Sequence, residues 1–132
     1  MNRVVHFEIQ ATDPERAAAF YRAVFGWTID KWPGLEWEYW VVMTAEKDSK
    51  ELSINGGLLR RPAKTPSQEC GTNAYVCTVQ VDDFDATADK ILKAGGVVAM
   101  PKFALAGMAW QGYFLDTEGN TFGIHQPDTN AK

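Results

Sequence analysis

Residues 4–21 decide the fold of this chain and read VVHFEIQATDPERAAAFY. From residue 4 to residue 10, apolar and polar side chains alternate, which is typical of a strand with one buried face. Asp13 and Pro14 predict the start of a helix, because an aspartate caps free backbone amides and a proline presets the first helical φ. Gly26 supplies the expected end of that helix. The stretch therefore predicts a strand, a short turn and a helix.

A weaker copy of this pattern returns 70 residues later in the chain. Asp13 falls on Asp83 and Gly26 falls on Gly96, so the helix cap and the helix stop both recur. At the same offset, residues 52–55 fall on residues 122–125. Agreement of caps and stops is less easily produced by chance than agreement of apolar character alone. Each half of the chain is therefore predicted to be a βαβββ unit.

The expected elements follow from alternation, β-branched content and turn residues. We expect unit 1 at about residues 3–60, a proline-containing linker at about 61–71 and unit 2 at about 72–127. The strands are predicted at residues 4–10, 27–30, 36–44, 52–59, 74–81, 97–100, 108–115 and 121–126. Residues 101–106 are expected to form a loop, and the chain from Pro127 onward is expected to fray.

The predicted fold class is α+β, with all 132 residues in one domain. Two βαβββ units are expected to form one curved, cup-shaped, eight-stranded sheet with both helices on its convex face. The strand positions opposite the helices would then line the concave side. These positions are His6, Glu8, Gln10, Ser53, Asn55, Val76, Thr78, Gln80, Gly123 and His125.

Composition excludes several classes of partner. A net charge of −4 provides no basic surface for nucleic acid or for an anionic membrane. The sequence shows no signal-peptide pattern and no apolar run long enough to cross a bilayer. Cys70 and Cys77 have no metal-site spacing and are interpreted as reduced thiols. We therefore expect a cytoplasmic protein that binds neither nucleic acid nor membrane.

The chain resembles the vicinal oxygen chelate superfamily, which includes glyoxalase I, bleomycin-resistance proteins and extradiol dioxygenases. The resemblance covers nearly the whole chain and is specific for the fold rather than for one activity. It implies a small organic ligand or substrate and a homodimer. The resembling segments are residues 6–9, 13–17, 20–27, 81–83, 95–96 and 113–124.

The resemblance also bears on metal binding. In the metal-dependent members, each unit supplies two ligands from cup-facing strand positions, which fall here on His6, about Ser53, Val76 and Gly123. Because only His6 has a metal-binding side chain, the usual four-ligand site is expected to be absent, and no cofactor is expected.

An alternative ligand set for a divalent transition metal is His6, Glu8 and His125, nominally the side chains of a facial triad. Residues two apart on a strand are separated by about 6.6 Å, which makes joint chelation by His6 and Glu8 difficult. A hydrogen-bonded polar patch is the favoured interpretation of these residues.

Two interpretations of the polar residues stay open. His6, Glu8 and His125 are candidates for proton transfer or ligand anchoring, and equally for structural hydrogen bonds or pairing across the sheet.

A dense group of aromatic residues suits an apolar cavity or a subunit interface. The candidate ligand-binding residues are Gln10, Trp37, Tyr39, Asn55, Thr78 and Trp110.

Three functional hypotheses result. The first is an enzyme acting on a small carbonyl or aromatic compound, either without metal or as a metal-dependent lyase or dioxygenase using His6, Glu8 and His125. The second is a binding module that sequesters a drug or metabolite by aromatic stacking. The third is an accessory domain without chemistry of its own.

Overall fold

The computed structural model describes residue 4, residues 6–71 and residues 75–132, which divide between two compact units, residues 1–65 and 66–132. Within these described residues, unit 1 contains β1 (Phe7–Ala11), α1 (Pro14–Phe25), β2 (Thr28–Lys31), β3 (Tyr39–Met43) and β4 (Gly56–Arg60). Unit 2 contains a 3₁₀ turn (Gln68–Cys70), β5 (Thr78–Gln80), α2 (Phe84–Lys93), β6 (Val97–Leu105), β7 (Ala109–Leu115) and β8 (Thr121–Pro127). Neither helix in these ranges is long and apolar enough to span a membrane.

Each unit forms its own four-stranded sheet with the same topology. The strand order is β1-β4-β3-β2 in unit 1 and β5-β8-β7-β6 in unit 2. In both sheets the first strand pairs in parallel with the last, and the other neighbours are antiparallel. The α+β class and the two βαβββ units are therefore confirmed. The union of the two sheets into one curved surface stays a prediction.

Both helices begin as the sequence predicts. Asp13 accepts a hydrogen bond from the amide of Arg16 at 3.1 Å, and Asp83 accepts one from the amide of Ala86 at 2.9 Å. Each cap satisfies a backbone donor that has no partner within its helix. Gly26 ends α1 with a φ of 69°, a left-handed conformation that glycine adopts without steric cost.

The core of each unit lies between its helix and one face of its sheet. One stripe of α1 packs on alternate strand positions of unit 1, as the 3.6-residue and two-residue periods require. The buried apolar residues there are Ile9, Ala11, Ala17, Ala18, Phe20, Tyr21, Val24, Ile29, Trp40, Val42 and Leu58. In unit 2 the helix-side set is Phe84, Ile91, Phe114, Phe122 and Ile124, and Ala109, Leu115 and Ala131 are buried as well. Burying one large apolar side chain contributes about 1.5–3 kcal/mol.

Several predicted strand bounds in unit 1 are wrong. β1 begins at Phe7 rather than residue 4, and the strand expected over 52–59 is confined to Gly56–Arg60. The side chain of Asn55 explains the second difference, because its Oδ1 accepts a hydrogen bond from the amide of Thr44 at 2.9 Å. The Thr44 hydroxyl also donates to the carbonyl of Ile54 at 2.9 Å. Side-chain bonds of this kind compete with strand pairing and hold the segment as a loop.

The last strand of each unit follows a different offset from the helices. Glu8 pairs with Gly57 in unit 1, and Thr78 pairs with Gly123 in unit 2. The counterpart of Gly123 is therefore Gly57, at an offset of 66, and the expected alignment of residues 52–55 with 122–125 is wrong. The cause is loop length, because residues 44–55 connect β3 to β4 whereas only residues 116–120 connect β7 to β8.

The end of unit 2 is more ordered than the sequence indicated. β6 continues through most of the expected loop at 101–106, which is possible because Pro101 lies on an edge strand with register shifts around it. The expected frayed tail is also wrong. The carbonyl of Ala131 accepts from the amide of Gly107 at 2.9 Å, and the amide of Asp128 donates to the carbonyl of Met108 at 2.9 Å.

Candidate functional site

The candidate site residues lie on the helix-free face of each sheet, defined as the side opposite its α-helix. In unit 1 the indole of Trp40 donates to Glu15 of α1 at 2.8 Å, so the neighbouring Tyr39 points to the helix-free side. Leu58 pairs with Trp40, which places Gly57 on the same helix-free side as Tyr39. In unit 2 a Cβ on Gly112 would lie 2.6 Å from Phe84 of α2, so the alternate residues of β7 face away from that helix.

The helix-free face of unit 1 carries a hydrogen-bonded group, which we name the His6 cluster: His6, Glu8 and Tyr39. His6 Nε2 lies 3.0 Å from the Tyr39 hydroxyl and 3.9 Å from Glu8 Oε1. Burial, and secondarily the charge of Glu8, raise the pKa of Tyr39 above its ordinary value. The phenol of Tyr39 therefore holds its proton to higher pH than a free tyrosine does.

Gly57 allows this arrangement. A Cβ built on Gly57 would overlap the hydroxyl and ring of Tyr39, so the phenol crosses β4 only because the residue beneath it has no side chain. The sequence nominated His6, Glu8 and Tyr39 separately. The structure brings all three together within unit 1.

The helix-free face of unit 2 carries a different polar pair. Gln111 and His125 are directly opposed on β7 and β8, and His125 Nδ1 lies 2.9 Å from Gln111 Oε1. Gln111 is only 5% exposed although it is polar. Burial of an amide is tolerated when its polar atoms find hydrogen-bond partners. The bond to His125 provides that partner for Oε1 of Gln111.

Side chains of three neighbouring residues cover Gly123: Thr78, Gln111 and Tyr113. A Cβ on Gly123 would lie 2.7 Å from Thr78 Oγ1, 2.9 Å from Gln111 Nε2 and 3.1 Å from Tyr113 Cε1. The ring of Tyr113 stacks on Phe103 with centroids 6.4 Å apart. Two polar atoms and an aromatic surface therefore converge where any other residue would place a side chain.

Four other predicted residues lie apart from these two groups. The main-chain oxygen of Gln10 accepts from Arg61 Nη2 at 3.1 Å, and the Asn55 side chain closes the loop before β4. Trp37 lies in the loop before β3 and is 61% exposed. Trp110 alternates with Gln111 and lies on the helix side, where its indole donates to Asp128 at 3.0 Å.

Sequence reasoning missed Gln111 and Tyr113. The available signal was a polar residue inside β7, whose sequence AWQGYFL is otherwise apolar or small. A buried glutamine between apolar neighbours indicates a specific hydrogen-bond partner. The partner is His125, which the sequence predicted as a candidate site residue without indicating what it would bond to.

The residues at the family's ligand positions do not fit a four-ligand metal site. With Gly57 as the counterpart of Gly123, the four positions are His6, Gly57, Val76 and Gly123, of which only His6 has a donor side chain. Within either unit, no three His, Cys, Asp or Glu side chains of the described residues are placed to hold an ion. The expectation that no cofactor is needed stays a prediction.

Comparison with known sequences gives a consistent family signal. A profile of the Glyoxalase/Bleomycin resistance protein/Dioxygenase superfamily matches residues 3–124. A "Putative glyoxylase CFP32" of Mycobacterium tuberculosis (strain CDC 1551 / Oshkosh) is 28% identical over 121 residues, which are 90% of this chain but 43% of that protein. This chain thus spans less than half of that relative's length. A "Glyoxylase-like domain-containing protein" of Didymella fabae is 32% identical over 124 residues, covering 89% of this chain and 88% of that protein.

Solved structures show the same fold. TnmS3, an antibiotic binding protein from Streptomyces sp. CB03234, has a TM-score of 0.66 at 25% identity and covers 97% of this chain and 98% of its own. The fosfomycin resistance protein FosX of Listeria monocytogenes, solved as an E126Q mutant with Mn(II) and 1S,2S-dihydroxypropylphosphonic acid, has a TM-score of 0.71 at 13% identity. That comparison covers 97% of this chain and 92% of FosX, and at this identity it concerns the fold alone.

Proposed function

Because the chain belongs to the Glyoxalase/Bleomycin resistance protein/Dioxygenase superfamily, we propose that it binds a small organic molecule on its helix-free sheet faces without the four-ligand metal site. The observation that carries the proposal is the pair of glycines, Gly57 and Gly123, at equivalent positions of β4 and β8. Neither glycine has a side chain that could bind a metal, and polar side chains of neighbouring strands lie over both of them.

The chemistry of the two faces supports binding by side chains. The His6 cluster presents a phenol, an imidazole and a carboxylate within hydrogen-bond or ion-pair distance of one another. In unit 2, Gln111 and His125 present an amide and an imidazole beside the stacked rings of Phe103 and Tyr113. A few convergent polar groups on an aromatic surface are the usual composition of a small-molecule site. The antibiotic-binding role given for TnmS3 is a parallel use of this fold.

One observation favours an enzymatic alternative. The contact between Tyr39 and His6, with Glu8 at 3.9 Å from the imidazole, is an arrangement through which a proton can pass to or from a bound carbonyl compound. In that alternative His6 and Glu8 are the catalytic residues of unit 1, and His125 remains the candidate of unit 2. The homodimer and the cytoplasmic location remain predictions of the same proposal.

A ligand screen by nuclear magnetic resonance tests the proposal. The ¹⁵N-labelled chain is mixed with a panel of neutral, anionic and carbonyl-bearing aromatic compounds, and its amide signals are followed. A bound compound is expected to shift the amides of Gly57 or Gly123 before those of the helix side. Trp110→Phe serves as the matched control, because that residue lies on the opposite side of β7 and its replacement should leave binding unchanged.

Two results would overturn the proposal. In the first, no compound of the panel shifts any amide at millimolar concentration. In the second, binding depends on Trp110 and leaves Gly57 and Gly123 unaffected. Binding that is accompanied by turnover of a carbonyl compound, and that is lost in His6→Ala, would establish the enzymatic alternative instead.

A further inference from the structure

We propose that the helix-free face of unit 1 recognises the protonated amine of an aromatic ligand. In this site the carboxylate of Glu8 receives the ammonium group and the ring of Tyr39 lies against it. We build on the proposed function, on which this inference rests, and name the chemical class of ligand for one of its two faces.

The carboxylate of Glu8 is available to a ligand. Its side chain is 47% exposed, and neither of its oxygens accepts a hydrogen bond from the part of the chain that the structure describes. His6 Nε2 lies 3.9 Å from Oε1, which is beyond hydrogen-bond distance. A carboxylate can accept several hydrogen bonds at once. Glu8 can therefore accept the N–H groups of a ligand without giving up a hydrogen bond within unit 1.

A second glutamate of unit 1, Glu38, shows the opposite arrangement on the helix side. Its carboxylate accepts from Arg60 Nε at 2.8 Å and from Lys31 Nζ at 3.2 Å. The hydrogen bond from Arg60, and then the one from Lys31, hold the pKa of Glu38 below its ordinary value. Lys31 Nζ also lies 5.1 Å from the centroid of the Trp40 ring. These two cations therefore serve the helix side, and Glu8 has no equivalent partner among the described residues.

The distribution of charge on the helix-free side of unit 1 favours a cation. Asp30, Val41, Gly57 and Glu8 are direct neighbours in one row across the four strands, so all four lie on the same side. Strands lie about 4.8 Å apart, and the row has a carboxylate at each end. No Lys or Arg of β1–β4 faces this side. Arg61, one residue past β4, donates to a main-chain oxygen of β1 at 3.1 Å.

Aromatic surface lies beside this carboxylate. The Tyr39 hydroxyl lies over Gly57, the residue that pairs with Glu8. The amide of Trp32 donates to the carbonyl of Tyr39 at 2.8 Å, which places the two residues opposite each other on the same side, and Trp32 is 52% exposed. A cation is attracted to the face of an aromatic ring. The expected ligand is therefore an arylalkylamine, with its ammonium at Glu8 and its ring along Tyr39.

The probe is 2-naphthylmethylamine, with 2-naphthylmethanol as the uncharged analogue and 2-naphthoate as the anion. Dissociation constants at neutral pH come from amide shifts of the full ¹⁵N-labelled chain. We expect the amine to bind about fivefold more tightly than the alcohol, because an exposed ion pair and a cation–π contact each contribute modestly. The largest shifts are expected at Glu8 and Gly57, and 2-naphthoate should bind most weakly.

Two matched variants test the charge of Glu8. Glu8→Gln keeps the size of the side chain and removes its charge, so the amine should bind no better than the alcohol. Glu38→Gln removes the same charge from the helix side, so the fivefold preference should remain. Trp32→Ala should weaken the amine and the alcohol equally, because it removes aromatic surface and no charge.

Two further variants test Tyr39 without changing a charge. A Cβ on Gly57 would overlap the Tyr39 hydroxyl, so in Gly57→Ala the phenol must leave its place beside Glu8. Tyr39→Leu removes the ring directly and provides the same measurement if Gly57→Ala does not fold. In each variant the preference for the amine should fall to about twofold, which is the part due to the carboxylate. Amide spectra show whether each variant is folded.

The outcomes distinguish this inference from the proposed function. Equal binding of the amine and the alcohol by the unchanged chain overturns the inference. A fivefold preference that survives Glu8→Gln or Tyr39→Leu, or that is lost in Glu38→Gln, overturns it as well. If the alcohol or 2-naphthoate shifts Gly57 or Gly123 and the amine has no advantage, the amine assignment falls while the proposed function stands. If no compound shifts either glycine, the proposed function falls with it.

Discussion

Units 1 and 2 have the same topology, but the large side chain packed beside the start of the helix comes from a different element in each. It comes from a strand in unit 1 and from the helix itself in unit 2. In unit 1 the helix begins with Pro14 and the bulk comes from Trp40 of β3, which is 2% exposed. In unit 2 the helix begins with Phe84, also 2% exposed, and the counterpart of Trp40 is Gly112. A Cβ on Gly112 would lie 2.6 Å from the Phe84 ring. The comparison shows that the βαβββ unit requires a filled volume, and that either the helix or the strand can fill it.

The helix-free faces differ in a second way. Unit 1 presents a carboxylate, with Glu8 beside His6 and Tyr39, whereas the described face of unit 2 presents an amide beside an imidazole, Gln111 and His125. Each face is organised over an equivalent glycine. The shared topology therefore constrains where side chains converge, and the local sequence decides which chemistry converges there.

The largest expected effects test the exchange of bulk between helix and strand. Trp40→Ala and Phe84→Ala should each lower the free energy of unfolding by about 3–5 kcal/mol, because each leaves a cavity in its own core. Urea denaturation measures both values. Trp37→Ala is the control, since that side chain is 61% exposed and its loss should change stability by no more than about 0.5 kcal/mol. A loss below about 1 kcal/mol at either buried position would break the comparison.

The helix caps test the equivalence of the two units at a smaller scale. Asp13→Ala and Asp83→Ala should each cost about 1 kcal/mol, because each removes the acceptor for one amide of the first helical turn. Asparagine at either position keeps that acceptor and should retain most of the stability. Thermal unfolding of the four variants measures these losses. If the asparagine variants lose as much as the alanine variants, capping is not what these residues contribute.

The smallest expected effect concerns the ionisable face of unit 1. Burial and the charge of Glu8 raise the pKa of Tyr39, so the folded phenol holds its proton to higher pH than the unfolded phenol does. Its contribution to stability is therefore present below the ordinary tyrosine pKa of about 10 and is lost as pH rises through the folded value. Glu8→Gln should move the pKa of Tyr39 back toward the ordinary value. Alkaline ultraviolet titration measures it, with Tyr39→Phe identifying the signal. An upward shift in Glu8→Gln would contradict this account.

Local signals in the sequence predicted the elements well and the pairing of strands less well. Asp13, Asp83 and Gly26 act through contacts within a few residues, so their roles follow from spacing alone. The register of β4 depends on the Asn55 side chain and on a long loop, and neither has a distinctive pattern. A slip of a few residues therefore put Ser53 in the place that Gly57 holds.

For the candidate site, too, the sequence predicted local features better than contacts between strands. Alternation placed His6 and Glu8 on one face correctly, because the period of a strand is independent of its partners. The contacts that give these residues chemistry cross between strands, from His6 to Tyr39 and from His125 to Gln111. Such pairs depend on register and on buried side-chain geometry, which one sequence does not specify.

Metal content tests the central claim most directly, which is that ligand recognition in this chain rests on side chains over Gly57 and Gly123 rather than on a bound ion. The purified chain is incubated with Mn²⁺, Ni²⁺, Zn²⁺ and Fe²⁺ in turn, dialysed, and its metal measured by mass spectrometry. We predict far less than one retained ion per chain, with ligand binding unchanged by a chelator. One tightly held ion per chain, lost in His6→Ala or His125→Ala, would contradict the claim.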